Sequence, residues 1–308
     1  GLALVLDTKA FLEFEGKWIT RFGGSRSARG RSDGVPYLGL MYTLVAPGVM
    51  EVLAPRLMGE LSKMLTAAER VEGAPEVTAR STAPLGADAL EKMRDEGEEV
   101  GPRIKAVTWS LFGIVGYLAT QFRPDTMFAF VAISQHVGRN FNAVVYAAII
   151  HLGRYMVATR DVPLCYRAVD TEDSGGGGQS ARWALALGAH ADSSSGNGGP
   201  GSWGGFSVSL PSESIARGEG RGEAAPIAAA GGAACPLTSG AVMWKVLTPR
   251  RLADSSVGSE GVLASVATKE LVATRFILRE LGLLPNEPTK LYMDALGTLR
   301  GVEMERVS

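Results

Sequence analysis

Two rhythms of apolar positions divide this chain. Over its first half the spacing is helical. Leu53, Leu57, Leu61 and Leu65 recur four apart and predict a helix over 49–68, with Pro55 disturbing its start. Apolar stretches over 106–120, 126–137 and 142–158 predict three more helices, the second opened by Pro124 and Asp125 in first-turn positions. The last of these is the most apolar part of the chain. His151 and Arg154 interrupt it and it is too short to cross a bilayer, so it reads as a buried helix and no membrane partner is expected. Beyond residue 180 the rhythm changes. An apolar run over 184–191 ends at Asp192, a Ser/Gly/Asn/Pro stretch follows over 193–201, and a second run occupies 203–210; that is the pattern of a strand, a turn and a strand. Glu260 lies in the first turn of a long helix-like segment, and Asp294 ends a short strand over 289–293.

Between these segments the chain punctuates itself with polar and glycine-rich stretches. Residues 21–34 form a Gly/Ser/Arg loop whose arginines (Arg21, Arg26, Arg29 and Arg31) could reach phosphates, although a solvated loop is the plainer reading. Residues 91–101 read as an acidic linker, and 171–182, with four consecutive glycines, as a flexible one. Residues 211–239 are rich in Gly, Ala, Ser and Glu without strand alternation, and are expected to be a disordered insertion.

A length of 308 residues suggests about two domains, and the apolar fraction is ample for a core. The net charge of −1 excludes a globally basic nucleic-acid binder, so any such surface must be local. Cys165 and Cys235 lie far apart and form neither a disulfide framework nor a metal-knuckle spacing. Reduced thiols in an intracellular compartment are the expectation, and the N-terminus carries no basic-then-apolar signal pattern.

The candidate chemistry rests on three carboxylates, Asp192, Glu260 and Asp294. Two strand-end aspartates and a helix glutamate can converge on one point and hold divalent metal through hard oxygen ligands. Competing constellations are weaker. His190 could be a base or a ligand but reads more simply as a structural strand histidine. Ser193, His190 and Asp254 lack a nucleophile-elbow pattern, and 198–205 lacks the setting of a dinucleotide loop. The turn 196–201 could offer amides to a phosphate, although a plain turn is its default. Trp203, Trp244, Phe276 and the Leu/Val positions of the long helix read as core.

The surroundings of the carboxylates carry a resemblance. Gly240-Ala241-Val242-Met243-Trp244, then Ser255-Ser256 and Ser259-Glu260-Gly261, then Leu281-Gly282-Leu283-Leu284-Pro285 before Tyr292-Met293-Asp294 resemble the ribonuclease H domain of copia-type retrotransposons. That family has a Gly-Ala-Ile-x-Trp strand, a Ser-Ser-Thr-Glu-Ala-Glu helix start, a Leu-Gly-Leu-Pro helix end and a Tyr-Cys-Asp strand end. Asp192-Ser193-Ser194 is similar to the Asp-Ala-Ser that opens ribonuclease H folds. Upstream, 111–120 with Arg123-Pro124-Asp125 and 147–156 resemble the segments that join reverse transcriptase to ribonuclease H, and 35–39 and 81–85 are weakly similar to the end of the polymerase. The polymerase's Tyr-x-Asp-Asp strand is missing; Leu4-Val5-Leu6-Asp7-Thr8 lacks the second aspartate.

The resemblance implies an α/β (α+β) chain: a ribonuclease H-like mixed sheet with flanking helices, preceded by a mainly helical connection. It divides the chain into a reverse transcriptase tail over 1–104, a helical connection over 105–170, the linker over 171–182 and an incomplete ribonuclease H-like domain over 183–308. It implies two-metal hydrolysis of the RNA strand of RNA–DNA hybrids, with Asp192, Glu260 and Asp294 as metal ligands and catalytic residues. Mg2+ or Mn2+, two ions, would be the cofactor. The implied partners are the hybrid and the rest of the polyprotein (reverse transcriptase and integrase), in a cytoplasmic particle or the nucleus. The family's fourth carboxylate has no counterpart here, since Glu303 and Glu305 come too early for it. Two alternatives stand beside this reading: a catalytically dead fragment that keeps the fold or hybrid binding, and a helical interaction scaffold.

Overall fold

The computed structural model describes residues 34–46, 49–77, 82–86, 88–94, 97–138, 140–167, 188–194, 203–209, 241–247, 256–280 and 289–293, with 188–194 described by backbone alone. The Arg-rich loop, the linker over 171–182 and the insertion over 211–239 lie outside these residues, apart from Gly34. The chain is mixed α/β, with six α-helices and two four-stranded sheets among the described residues.

The first sheet is antiparallel, in the order β1-β2-β3-β4, built from β1 Val35–Tyr37, β2 Leu40–Ala46, β3 Val49–Leu53 and β4 Leu164–Arg167. The β1–β2 turn holds Leu38 at φ 50° and Gly39 at φ 80°. Both central residues of a two-residue hairpin turn need positive φ when the strands keep their right-handed twist. The strained Leu38 is fixed from outside, because the Tyr117 hydroxyl donates to its carbonyl at 2.5 Å.

The predicted helix over 49–68 is corrected at its front. Val49–Leu53 is strand β3, with Met50 and Val52 buried and their neighbours half-buried, a period of two rather than 3.6. Helix α1 begins only at Pro55 and runs to Glu69 (Pro55–Glu69), its ring in the first turn, where an amide hydrogen would have no partner. Leu61 and Leu65 are buried on it, as the spacing expects. The acidic linker over 91–101 is likewise docked rather than loose where it is described. It opens in the one-turn helix α2 Ala89–Lys92, buries Met93 and Val100, and pairs Glu99 with Asn142 in a β-bridge.

Helices α3 Pro102–Gln121, α4 Met127–Val137 and α5 Ala143–Ala158 follow the three apolar stretches. A 3-10 turn, Pro124–Thr126, leads into α4, and the Asn142 side chain caps α5 by accepting from the Val145 amide at 3.0 Å. Helices α3 and α4 approach closely at Gly116, where a Cβ would sit 2.7 Å from the Phe130 ring. The buried residues of α1, α3, α4 and α5 join those of β2, β3 and β4 in one core that runs unbroken across residue 104, so the helical connection expected over 105–170 shares its interior with the strands before it. No helix among the described residues is long and apolar enough to cross a membrane.

The second sheet contains β5 Gly188–Ser194, β6 Trp203–Ser209, β7 Ala241–Leu247 and β8 Lys290–Tyr292, in the order β7-β6-β5-β8. The β5–β6 and β6–β7 pairs are antiparallel, while β5 and β8 run parallel. Helix α6 Ser256–Glu280 crosses from β7 to β8 and packs on β5 and β6. Leu263, Ala267, Leu271 and Leu278 form a core there with Phe206 and Val208. Trp203 and Trp244 are half-buried, in keeping with a core reading, but Phe276 is 58% exposed. The correction has a geometric cause: α6 turns only one stripe to the sheet, and Phe276 and Ile277 fall on the opposite side.

Candidate functional site

Strand β5 carries Asp192 opposite Gly205 of β6, two residues from the last pair of that hairpin, Ser194 with Trp203. Strand β5 has a neighbouring strand on each side, and helix α6 packs on it. Parallel strand β8 lies on the other side of β5, in the register Gly188 with Lys290, Ala189 with Leu291 and His190 with Tyr292. The side chain of Asp192 and the whole of Asp294 lie outside the described residues.

Glu260 stands one turn into α6, half-buried, with its Oε2 oxygen sealed from solvent. Ser259 beside it is buried as well. The next turn of the helix is seated by Leu263, whose methyl carbons lie where a Cβ on Gly204 would be 3.1 Å away. Gly204 pairs with Ser193, the neighbour of Asp192. A side chain at residue 204 would press on the tip of Leu263, so this glycine lets the turn after Glu260 pack closely on β6 beside the end of β5.

Among the described residues no group of three or more His, Cys, Asp or Glu is placed to hold a metal ion. Of the expected triad, the described residues include the Glu260 side chain and the backbone of Asp192; the Asp192 carboxylate and Asp294 lie outside them. The competing residues are placed only in part: His190 pairs with Ser207 through the backbone, and Asp254 and residues 196–201 lie outside the described residues. Cys165 is buried on β4, and Cys235 lies outside.

Two features near the site escape the sequence pattern. The Phe128 ring of α4 stands edge-on to the Trp203 indole, with ring centres 5.3 Å apart, at the hairpin end of β6. Trp244 of β7 donates from Nε1 to the Ala119 carbonyl of α3 at 2.8 Å, and the Tyr166 hydroxyl of β4 donates to the Ala241 carbonyl at 2.9 Å. The second sheet is thereby joined to the first unit. These partners lie 75 or more residues apart, beyond any periodic signal in the sequence. Comparison with protein-family models, with curated proteins and with solved structures found no match to this chain.

Proposed function

We propose that the β5–β8 sheet and α6 form a ribonuclease H-like module of a copia-type polyprotein that hydrolyses the RNA strand of RNA–DNA hybrids. The observation that carries this reading is the parallel pairing of β5 with β8. Asp192 and Asp294 each lie two residues beyond the last pair of that register, His190 with Tyr292, so the proposed ligands follow from adjacent strands running the same way. The helix between β7 and β8 supplies Glu260 to the same sheet. A set of three carboxylates suits Mg2+ or Mn2+, which take hard oxygen ligands and keep several waters. Bound ions would neutralise charge on the phosphodiester and lower the pKa of an attacking water. The role of the chain is to hold the ions through Asp192, Glu260 and Asp294 and to keep the Glu260 oxygen in a partly dry position. Selection of RNA over DNA would rest on 2′-hydroxyl contacts, which are largely independent of sequence.

The test is cleavage of a labelled hybrid by the purified chain in magnesium. Asp192→Asn, Glu260→Gln and Asp294→Asn keep size while removing ligand charge, and each should lower kcat by about a hundredfold or more with unchanged thermal unfolding. Equal cleavage by Asp192→Asn would sink the assignment. A chain that binds hybrids but never cleaves them would be the catalytically dead fragment.

A further inference from the structure

The aromatic pair of Phe128 and Trp203, at the hairpin end of the second sheet, has the chemistry of a nucleic-acid platform. Phe128 is 41% exposed on helix α4, whose buried residues are Ala129, Ala132, Ile133 and Val137. Its ring meets Trp203, itself only half-buried, at 5.3 Å and 65°. Trp203 is two residues along β6 from Gly205, the partner of Asp192. The pair therefore lies at the same end of the sheet as the proposed metal ligands and bridges the helical unit to it.

We infer that Phe128 and Trp203 form an aromatic shelf on which one strand of the hybrid rests while its scissile phosphate lies over the Asp192 end of β5. This rests on the ribonuclease reading above and adds a binding determinant contributed from outside the ribonuclease-like sheet. The exposed part of the Phe128 ring offers a surface on which bases or sugars stack without regard to sequence, which suits an enzyme that reads only the hybrid's shape.

The experiment measures fluorescence anisotropy of a labelled RNA–DNA hybrid binding to the full chain in calcium, with thermal unfolding in parallel. Phe128→Ala should weaken binding about tenfold, the usual loss when one stacking ring is removed, and leave the unfolding midpoint nearly unchanged. Phe276→Ala, which removes a more exposed ring on the outer side of α6, should leave binding as it is. The same tenfold effect of Phe128→Ala should persist in an Asp192→Asn background, where cleavage is lost. If the wild type binds the hybrid and Phe128→Ala binds it equally, or only lowers the unfolding midpoint, the shelf is overturned and the ribonuclease reading stands. If the wild type binds no hybrid, both fail together.

Discussion

At the scale of single residues the firmest structure lies around Arg123, only 3% exposed. Its guanidinium grips both oxygens of Asp125 at 2.8 and 2.6 Å and the Thr159 hydroxyl at 2.8 Å, while the Tyr155 hydroxyl donates to Asp125 at 3.1 Å. This knot ties the start of α4 to the end of α5. A planar, permanently charged fork is what a buried bidentate site demands. The Arg-Pro-Asp motif was visible in the sequence as a point of resemblance and a helix start. That its charges close on Thr159, some 36 residues away, was not. Removing one partner of a buried pair leaves the other charge uncompensated, so Asp125→Asn should cost roughly 3 kcal/mol of unfolding free energy. Denaturant titration reads this directly; a loss under half a kilocalorie would show that the arginine's other acceptors suffice.

At the scale of elements, three helices sit where their apolar stretches put them, and α1 is shorter than its leucine spacing suggests. The leucine spacing that forms the buried stripe of α1 reaches back by coincidence to Leu53, which lies in a strand. What separates them is Pro55, which starts a helix well and cannot donate inside one. Strands β1, β2 and β4 left no clear rhythm in the sequence, being short or only partly buried, and their pairing is a matter of the fold. The start of α5 shows how an element is held at its end. Asn142 is buried, caps the helix through Val145, and shares a bridge with Glu99. Asn142→Ala should lower stability by about 1–2 kcal/mol, with the larger figure expected because the freed amide is buried. Amide exchange should accelerate first at Val145; uniform acceleration across α5 would contradict a local cap.

At the scale of the whole molecule, the decisive contacts are those that join the two sheets. Burial pushes the Tyr166 phenol well above its ordinary value near 10, with the nearby Tyr42 adding to the shift. Burial likewise raises Tyr42, Tyr146 and Tyr155. The sign follows from linkage. The unfolded chain loses these protons at about pH 10, before the folded one does. Their contribution is therefore intact below pH 10 and is lost as pH rises through the folded values. The unfolding midpoint should fall steeply above pH 10, and the fall should be shallower in Tyr166→Phe, which has no proton to lose. That variant should also be less stable at neutral pH, because the buried Ala241 carbonyl loses its donor. Parallel alkaline profiles for the two proteins would show that Tyr166 does not couple the sheets.

By itself the sequence determined the helices over 102–158, the β5–β6 strand pair (although β5 runs two residues past Asp192 instead of turning there), the helix that carries Glu260 and the short strand before Asp294. Each is a local matter, since side-chain period, turn chemistry and caps act within a few residues. It also marked the three carboxylates as one candidate set, through motif order rather than through any spacing that could place them together. Only the tertiary structure decided that β8 lies parallel beside β5, that Leu263 seats the Glu260 turn on Gly204, and that Phe128 meets Trp203. It alone turned Phe276 outward. The physical reason is common to all four. Which apolar surfaces meet, and which strand edges pair, depends on burying the most area with every backbone group satisfied across the whole chain, and no stretch of sequence holds that sum alone.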